Sequence, residues 1–453
     1  MPGHERSTRR FRSTSALLAL PLAFLPALAA AQDLLTVYRE AASYDAVYAA
    51  AKRSLEAGQE KGPQGLALLL PTLNLTAGAE RRRHELESRD PLLVPSFTRY
   101  PESANYQLTF TQPLFRAQNW MQYSQGKAQV TQAEATFGQA QQDLILRVSQ
   151  AYFDVLGAAD TLELVRAQTA AISEQLAQAK RNFEVGTATI TDTHEAQARY
   201  DLSASQEIAA RNDLETRRRQ LQLITGKQYP ELKTLRPDIK LPPPNPDSMA
   251  AWAELAEKQN YQVLIAEAAA EVARLEARRN TAAHLPTLDF VATHGQTAQS
   301  ATVDSSVGRD LTVTVIGLQL AMPLYQGGGL NSRSRETAAL SFKAKEDLDN
   351  TRRGAVLLAQ QSYISVINGI AQIAALEQAL VSSQSALDSN KLGYEVGVRI
   401  NIDVLNAQQQ VFATRRDLAL ARYNTIVNYL RLKGTAGSLR EEDVEAVNRG
   451  LGS

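Results

Sequence analysis

The chain of 453 residues contains no cysteine. This excludes disulfide bonds, thiolate metal sites, a cysteine nucleophile and a lipid attached to an N-terminal cysteine. The histidines also lack the spacing of a metal site, and the three glycines at 327–329 are not followed by the Lys-Ser/Thr of a phosphate-binding loop. The sequence therefore predicts a protein that is not an enzyme and that uses no cofactor or metal. The five histidines are His4, His84, His194, His284 and His294.

An excess of charge of either sign is also lacking. The chain has 48 basic and 48 acidic residues, which are interspersed along its length. Without a basic field, a nucleic acid is not attracted to the surface. We therefore exclude nucleic acid as a partner.

A long hydrophobic run is absent beyond residue 31, where no stretch approaches the ~20 residues of a membrane-spanning helix. Residues 1–31 themselves read as a signal peptide, with four arginines, an apolar segment at 16–28 and three alanines before Gln32. A membrane anchor is the alternative, but the apolar segment is short and contains Pro21 and Pro26. An exported chain of this kind is either soluble in the periplasm or part of an outer-membrane β-barrel.

Proline is missing from two long zones, between Pro113 and Pro230 and after Pro323. Because a proline inside a helix costs about 3 kcal/mol, these zones are where long helices can form. Apolar residues recur in alternating steps of four and three from Leu144 to Phe183, which predicts a supercoiled helix packed against partner helices. We predict long helices at about 117–182 and 328–392, with return helices at about 192–224 and 403–433.

The chain is built from two copies of one unit. Short sequences return in the same order and at nearly the same spacing, such as Gln112-Pro113-Leu114-Phe115 as Met322-Pro323-Leu324-Tyr325. The predicted repeats are 32–240 and 251–437, separated by a proline-rich joint at 241–250 and followed by a tail at 438–453.

Ahead of each long helix lie two segments in which apolar and polar residues alternate, as expected for a strand with one apolar and one polar face. The predicted strands are about 72–82, 105–112, 286–294 and 311–322. In the last, Leu311, Val313 and Val315 have the opposite phase to the residues that follow, which a bulge or the end of the strand would explain. The alternative for all four strands is a soluble α+β domain.

Four strands cannot close a membrane barrel, whose known minimum is about eight, and an open edge in lipid is too costly. Several chains would therefore have to share one barrel. Two chains would give eight strands and a filled interior, and three would give twelve strands and an aqueous pore.

The most specific sequence patterns lie in the two tips that join the helices of each hairpin, at Phe183–Glu195 and Tyr394–Asn406. With the signal peptide and the duplication, they resemble the TolC family of outer-membrane channel-tunnels over essentially the whole mature chain. The resemblance implies a mainly α fold with transmembrane β: a homotrimer with a twelve-stranded barrel in outer-membrane lipid of a Gram-negative bacterium, continuing into a periplasmic α-helical barrel. It implies an exit duct for proteins or small toxic compounds. Its partners would be a periplasmic adaptor and an inner-membrane ABC or RND-type transporter.

The tips also hold the candidate gate residues. Gly186 and Gly397 end the long helices, and Asp192 and Asp403 stand where a side chain can cap the next helix. Arg399 has no counterpart in the first copy, so it can link the two tips by charge-assisted bonds.

The resemblance gives these residues partners. It implies that Arg399 bonds Thr191 and Asp192, and that Tyr394 bonds Asp192. Asp403 from three chains would form an acidic ring, whereas a second ring of the family falls on Asn406, so cation binding should be weaker here. Replacing Arg399 by Ser should raise the single-channel conductance.

The main rival interpretation is a periplasmic coiled-coil adaptor or scaffold. An adaptor would carry one hairpin flanked by compact β domains, whereas this chain duplicates its hairpin and places strands ahead of each long helix.

Overall fold

The computed structural model describes residues 31–90, 92–236, 239, 241–301 and 307–452. The predicted signal peptide therefore lies outside the described residues, apart from residue 31. The helices are α1 Leu34–Tyr44, α2 Ala46–Gln59, α3 Lys61–Ala67, α4 Ala117–Glu184, α5 Ile190–Thr225, α6 Met249–Gln259, α7 Tyr261–Ala282, α8 Gly329–Glu395, α9 Asn401–Thr435 and α10 Glu441–Asn448. The strands are β1 Thr72–Arg81, β2 His84–Leu86, β3 Phe97–Arg99, β4 Glu102–Phe115, β5 Thr287–Gln299 and β6 Arg309–Ala321.

Two long α-hairpins dominate the molecule. The outgoing helices α4 and α8 have 68 and 67 residues, and the return helices α5 and α9 have 36 and 35. Each return helix begins two residues earlier than the sequence predicts, at Ile190 and Asn401. The reason is that the caps lie before the aspartates rather than at them.

Four strands form one antiparallel sheet in the order β1-β4-β5-β6. The strands β1 and β6 are the edges of this sheet, and all of their residues are exposed. Paired residues on adjacent strands share a face, so the register places Leu73, Leu108, Phe290 and Leu318 on one face. We call this the apolar face. The opposite, polar face carries Asn74, Thr76, Gln107, Thr109, Thr111 and Thr293.

The phase change in β6 is neither a bulge nor a strand end. All thirteen residues of β6 pair with β5 without a shift in register. Leu311, Val313 and Val315 therefore lie on the polar face, whereas Ile316 and Leu318 lie on the apolar face. The irregularity of the sheet is elsewhere, in β4 between Pro113 and Phe115, where proline cannot donate to a ladder.

The core lies around the middle of α4 and α9. Leu144, Val148, Tyr152 and Leu430 are fully buried there, packed with α1 and with the residues around α10. The Tyr152 hydroxyl donates to the carbonyls of Gln32 and Lys233 at 3.1 and 2.8 Å, which ties the start of the chain to its midpoint. Segments before, between and after the hairpins thus form a belt around the helices.

Away from this belt the helices form an open layer. On the side of the tips, α4 packs against both α5 and α9, and α8 packs against α9, so α5 and α8 lie at the two ends of the layer. On the side of the sheet, α7 packs between α4 and α8. Among the described residues, α8 alone contains an 18-residue stretch that could cross a membrane by length and composition, and little of that stretch is buried within the chain. Interspersed polar residues interrupt this stretch, so no long hydrophobic run is visible in the sequence.

Candidate gate at the helix tips

Both tips are formed by the same turn. Gly186 and Gly397 have φ of +77°, a left-handed conformation that glycine adopts without strain. In the first tip the amides of Thr187 and Ala188 donate to the Asn182 carbonyl at 2.8 and 3.2 Å. In the second tip the amides of Val398 and Arg399 donate to the Gly393 carbonyl at 2.9 and 3.0 Å. The duplication in sequence therefore reproduces a duplicated helix stop.

Asp192 completes a capping box at the start of α5. Its carboxylate accepts from the amide and the hydroxyl of Thr189 at 2.9 and 2.8 Å, and the Asp192 amide donates back to the Thr189 hydroxyl at 3.2 Å. The capping role predicted for Asp192 is thus present, with Thr189 as the N-cap residue. Thr191 is exposed beside it.

Asp403 does not cap α9 by a side-chain hydrogen bond. The N-cap residue is Ile400, and no side chain bonds the free amides at this end. Asp403 instead forms an ion pair with Arg399, four residues earlier, at 3.6 Å. The prediction of a hydrogen-bonded cap is wrong here, although a carboxylate in the first turn is still favoured by the helix dipole.

The two hairpins are joined by bonds other than the predicted ones. The Asn182 amide group donates to the Tyr394 hydroxyl at 3.3 Å, which links α4 to α8. The Arg199 guanidinium donates to Asn406 Oδ1 at 2.9 Å and to Gln409 Oε1 at 3.0 Å, which links α5 to α9. Of the predicted gate residues, the structure thus brings Tyr394 and Asn406 into contacts between hairpins.

The bonds expected from Arg399 to Thr191 and Asp192, and from Tyr394 to Asp192, are not formed within one chain among the described residues. The physical reason is competition: the Asp192 carboxylate is occupied by Thr189, and Arg399 meets a carboxylate one turn away on its own hairpin. The role of Arg199 in joining the hairpins was not predicted from the sequence. The feature that could have indicated it is its position seven residues after Asp192, which places both residues on one face of α5.

Farther from the tips, a partly buried pair joins α4 to α9. The Tyr423 hydroxyl donates to the Asp160 carboxylate at 2.6 Å, and the Tyr423 ring stacks on Phe153 with 5.6 Å between centroids. Burial is the largest influence on Asp160 and raises its pKa, while the hydrogen bond from Tyr423 opposes the rise. This pair joins the two hairpins to each other near the belt.

The contacts at the tips are individually weak. Their members are partly or fully exposed, and the described residues contain no cluster of three or more His, Asp or Glu side chains able to hold a metal. A net hydrogen bond contributes about 0.5–1.5 kcal/mol, and an exposed ion pair about 0.2–1 kcal/mol. The contacts at the tips therefore amount to only a few kcal/mol within one chain.

The structure thus joins an exposed sheet with two free edges to two hairpins far longer than a soluble core needs, an arrangement that suits a channel-forming protein. Comparison with known proteins agrees. The model of the family described as "Outer membrane efflux protein" matches residues 38–227 and 252–438. The chain belongs to this family, whose members are outer-membrane channels and not enzymes.

Relatives and solved structures support this assignment. The chain is 34% identical over 424 residues to the "Outer membrane protein TolC" of Vibrio cholerae, covering 93% of this chain and 94% of that protein. It is 32% identical over 438 residues to the "Proteases secretion protein PrtF" of Dickeya chrysanthemi, covering 96% and 94%. The crystal structure of the outer membrane protein VceC from Vibrio cholerae aligns with a TM-score of 0.75 at 19% identity, over 89% of this chain and 96% of that one.

The function at the level of the family follows from these relatives. The chain is an outer-membrane exit duct of a tripartite export system, located in the outer membrane and extending into the periplasm. Nothing in the comparisons supports the alternative of a periplasmic adaptor or scaffold.

Proposed function

We propose that three copies of the chain close a twelve-stranded barrel, which continues into a tunnel of helices and conducts cargo passively. The observation that carries this proposal is the sheet: it has one apolar face and two unpaired edges, β1 and β6. An unpaired edge is not tolerated in lipid. Pairing β6 of one copy with β1 of the next removes every edge, and three copies leave room for a pore.

The exposed faces of the two outermost helices also support the ring. On α8, Leu357 and Ile364 lie one heptad apart and are exposed. They lie on the side of α8 opposite Ser362 and Val366, which are buried within the chain. On the far end of the layer, α5 also exposes an apolar residue, Leu223, which lies about as many residues from its tip as Ile364 does from the other tip. These two faces are complementary in a head-to-tail contact, which closes into a ring.

We propose that the tips gate the duct. Arg199–Asn406 and Asn182–Tyr394 hold the hairpins together, and three chains multiply their small contributions to a few kcal/mol. Opening is an outward shift of the second hairpin, driven by adaptor docking and without fuel consumed by this chain. Asp403 from three chains lines the constriction, where Arg399 offsets its charge and Asn406 removes a second acidic ring.

The division of the chain follows the same proposal. Residues 1–31 are removed on export, the repeats 32–240 and 251–437 each supply one hairpin and two strands, and the joint 241–250 with the tail 438–453 contributes to the belt. The partners are a periplasmic adaptor and an inner-membrane transporter of the ABC or RND type. The cargo is a protein or a small toxic compound. Relatives named for protease secretion and for efflux support both.

Purification of the mature protein in detergent tests the proposal. We expect a heat-sensitive trimer in the outer-membrane fraction, a trimer mass in native mass spectrometry and discrete ion conductance in planar lipid bilayers. A protein that is monomeric in water without detergent, and that conducts no ions, would contradict it.

A further inference from the structure

The polarity of the sheet inverts along the β5–β6 hairpin. Toward the start of β5 the apolar face is continuous, with Phe290 opposite Leu318 and Ala292 opposite Ile316. Beyond this point the same face becomes polar, and His294 Nδ1 lies 2.8 Å from the Thr314 hydroxyl. The three aliphatic residues Leu311, Val313 and Val315 are displaced to the polar face, where they are 54%, 45% and 53% exposed. We call them the β6 strip.

A second bare apolar surface lies at the same end of the sheet. Leu92, Leu93 and Val94, in the loop between β2 and β3, are 99%, 81% and 46% exposed. We call these residues the loop knob. The loop follows β1 at Arg81 and returns to β4 at Glu102, and these are the strand ends that pair beside the β5–β6 turn. Exposed apolar clusters of this kind mark contact surfaces.

In the proposed ring the two surfaces belong to neighbouring copies. The edge strand β1 of one copy pairs with β6 of the next at about 4.8 Å, whereas β6 of its own chain is three strand spacings away, about 14 Å. The loop knob of one copy therefore emerges beside the β6 strip of its neighbour. It is not packed on its own strip, since Leu92 and Leu93 are almost fully exposed.

Charge supports the same pairing. An Arg-Asp pair, Arg89 and Asp90, precedes the loop knob, and another, Arg309 and Asp310, precedes the β6 strip. Arg309 lies on the face of β6 that carries the strip, whereas Asp310 lies on the other face. Asp90 can therefore meet Arg309 at the rim while the aliphatic side chains meet below them.

We propose that the loop knob of each copy folds into the mouth of the barrel and packs on the β6 strip of the next copy. The contact covers aliphatic surface that would otherwise face an aqueous pore, and it narrows the exit on the side away from the helix tips. This inference rests on the proposed ring. It assigns the strip and the knob to an interface between copies of this chain.

Disulfide trapping tests the contact, because the chain contains no native cysteine. We expect Leu93→Cys with Val313→Cys to give linked dimers and trimers on a non-reducing gel after oxidation, and to lose them on reduction. The matched control is Leu93→Cys with Thr312→Cys, the adjacent residue on the opposite face of β6, which should stay unlinked.

A separate pair tests the ring alone. Asn74→Cys on β1 is combined in turn with Val315→Cys, Gly317→Cys and Gln319→Cys, the β6 residues on its face of the sheet. If one of these pairs links the copies and the Leu93–Val313 pair does not, the contact between the loop knob and the β6 strip is refuted and the ring stands. A Leu93–Val313 bond formed only within single chains also refutes the contact. If no edge pair links copies, the ring itself fails.

Discussion

Arg199 on the first hairpin donates to Asn406 on the second at 2.9 Å, and the same guanidinium reaches Gln409 at 3.0 Å. A single side chain thus bridges the two return helices next to the tips. Since α5 and α9 otherwise make few contacts, these hydrogen bonds are among the main direct contacts between the two helices.

We expect Arg199→Gln to favour the open state of the duct. The loss of two hydrogen bonds per chain removes about 0.5–1.5 kcal/mol for each bond, and the effect is repeated in every copy. Single-channel recording in planar bilayers should show a higher mean conductance or open probability. Arg211→Gln is the matched control, because Arg211 lies on the same helix and pairs with Glu207 one turn away. Equal behaviour of the two variants would exclude the bridge.

Arg399→Ser should raise the conductance less than Arg199→Gln does. In the structure Arg399 pairs with Asp403 of its own hairpin rather than with the first hairpin, so its removal breaks no direct tie within one chain. The two variants are compared under the same salt and voltage. A larger effect at Arg399 would show that its important partner belongs to another copy.

Ile364→Glu should prevent ring assembly. The side chain is exposed on the face of α8 that points away from the rest of the chain, and a carboxylate buried there between copies would be unpaired. We expect loss of the heat-sensitive trimer on gels and in native mass spectrometry. Ser365→Glu adds the same charge about 100° around the helix and should still assemble. Trimer formation by both variants would place the interface elsewhere.

The Asp160–Tyr423 pair predicts a pH dependence of stability. Burial raises the pKa of Asp160 in the folded state, so the folded protein binds this proton more tightly than the unfolded chain does. Stability is therefore lost as the pH rises from the usual carboxyl value, about 3.9, through the raised folded pKa. We expect Asp160→Asn to make the melting temperature less dependent on pH across this window.

Tyr423→Phe provides the opposite change at the same pair. It removes the donor to the buried carboxylate, which costs about 1–3 kcal/mol when the group is charged. The melting temperature should fall most at neutral pH and least in acid. A uniform fall at every pH would show that only the packing of the ring against Phe153 matters.

The junction between sheet and helix depends on a paired carboxylate. Asp289 on β5 is 7% exposed, and both of its oxygens accept from Arg116 at 2.7 and 2.6 Å, immediately before α4. Asp289→Ala removes both bonds to the guanidinium, which is 38% exposed and can be solvated, and should destabilise the protein by about 1.5–3 kcal/mol. A double-mutant cycle with Arg116→Gln should recover part of this loss. Strictly additive losses would show that the two groups do not interact.

The long hairpins were predictable because proline avoidance and heptad spacing act within one segment of the chain. The same applies to the strands and to the left-handed glycines at the tips. The helix α7 was not assigned, although its alanine-rich sequence after the N-cap Asn260 is a strong local signal. The partners of Asp192, Arg399 and Tyr394 were not predictable, since several donors compete for each acceptor at the tips. Only the relative placement of the helices decides that competition.

In the proposed ring of three copies, the two free edges of the sheet make each copy dependent on its neighbours. A chain with a damaged β6 can still offer an intact β1, so it can enter an assembly and then block its completion. In a cell that makes intact and damaged chains in equal amounts, only about one ring in eight would contain intact chains alone. Edge mutations of this duct should therefore be genetically dominant, in contrast to most mutations that merely unfold a protein.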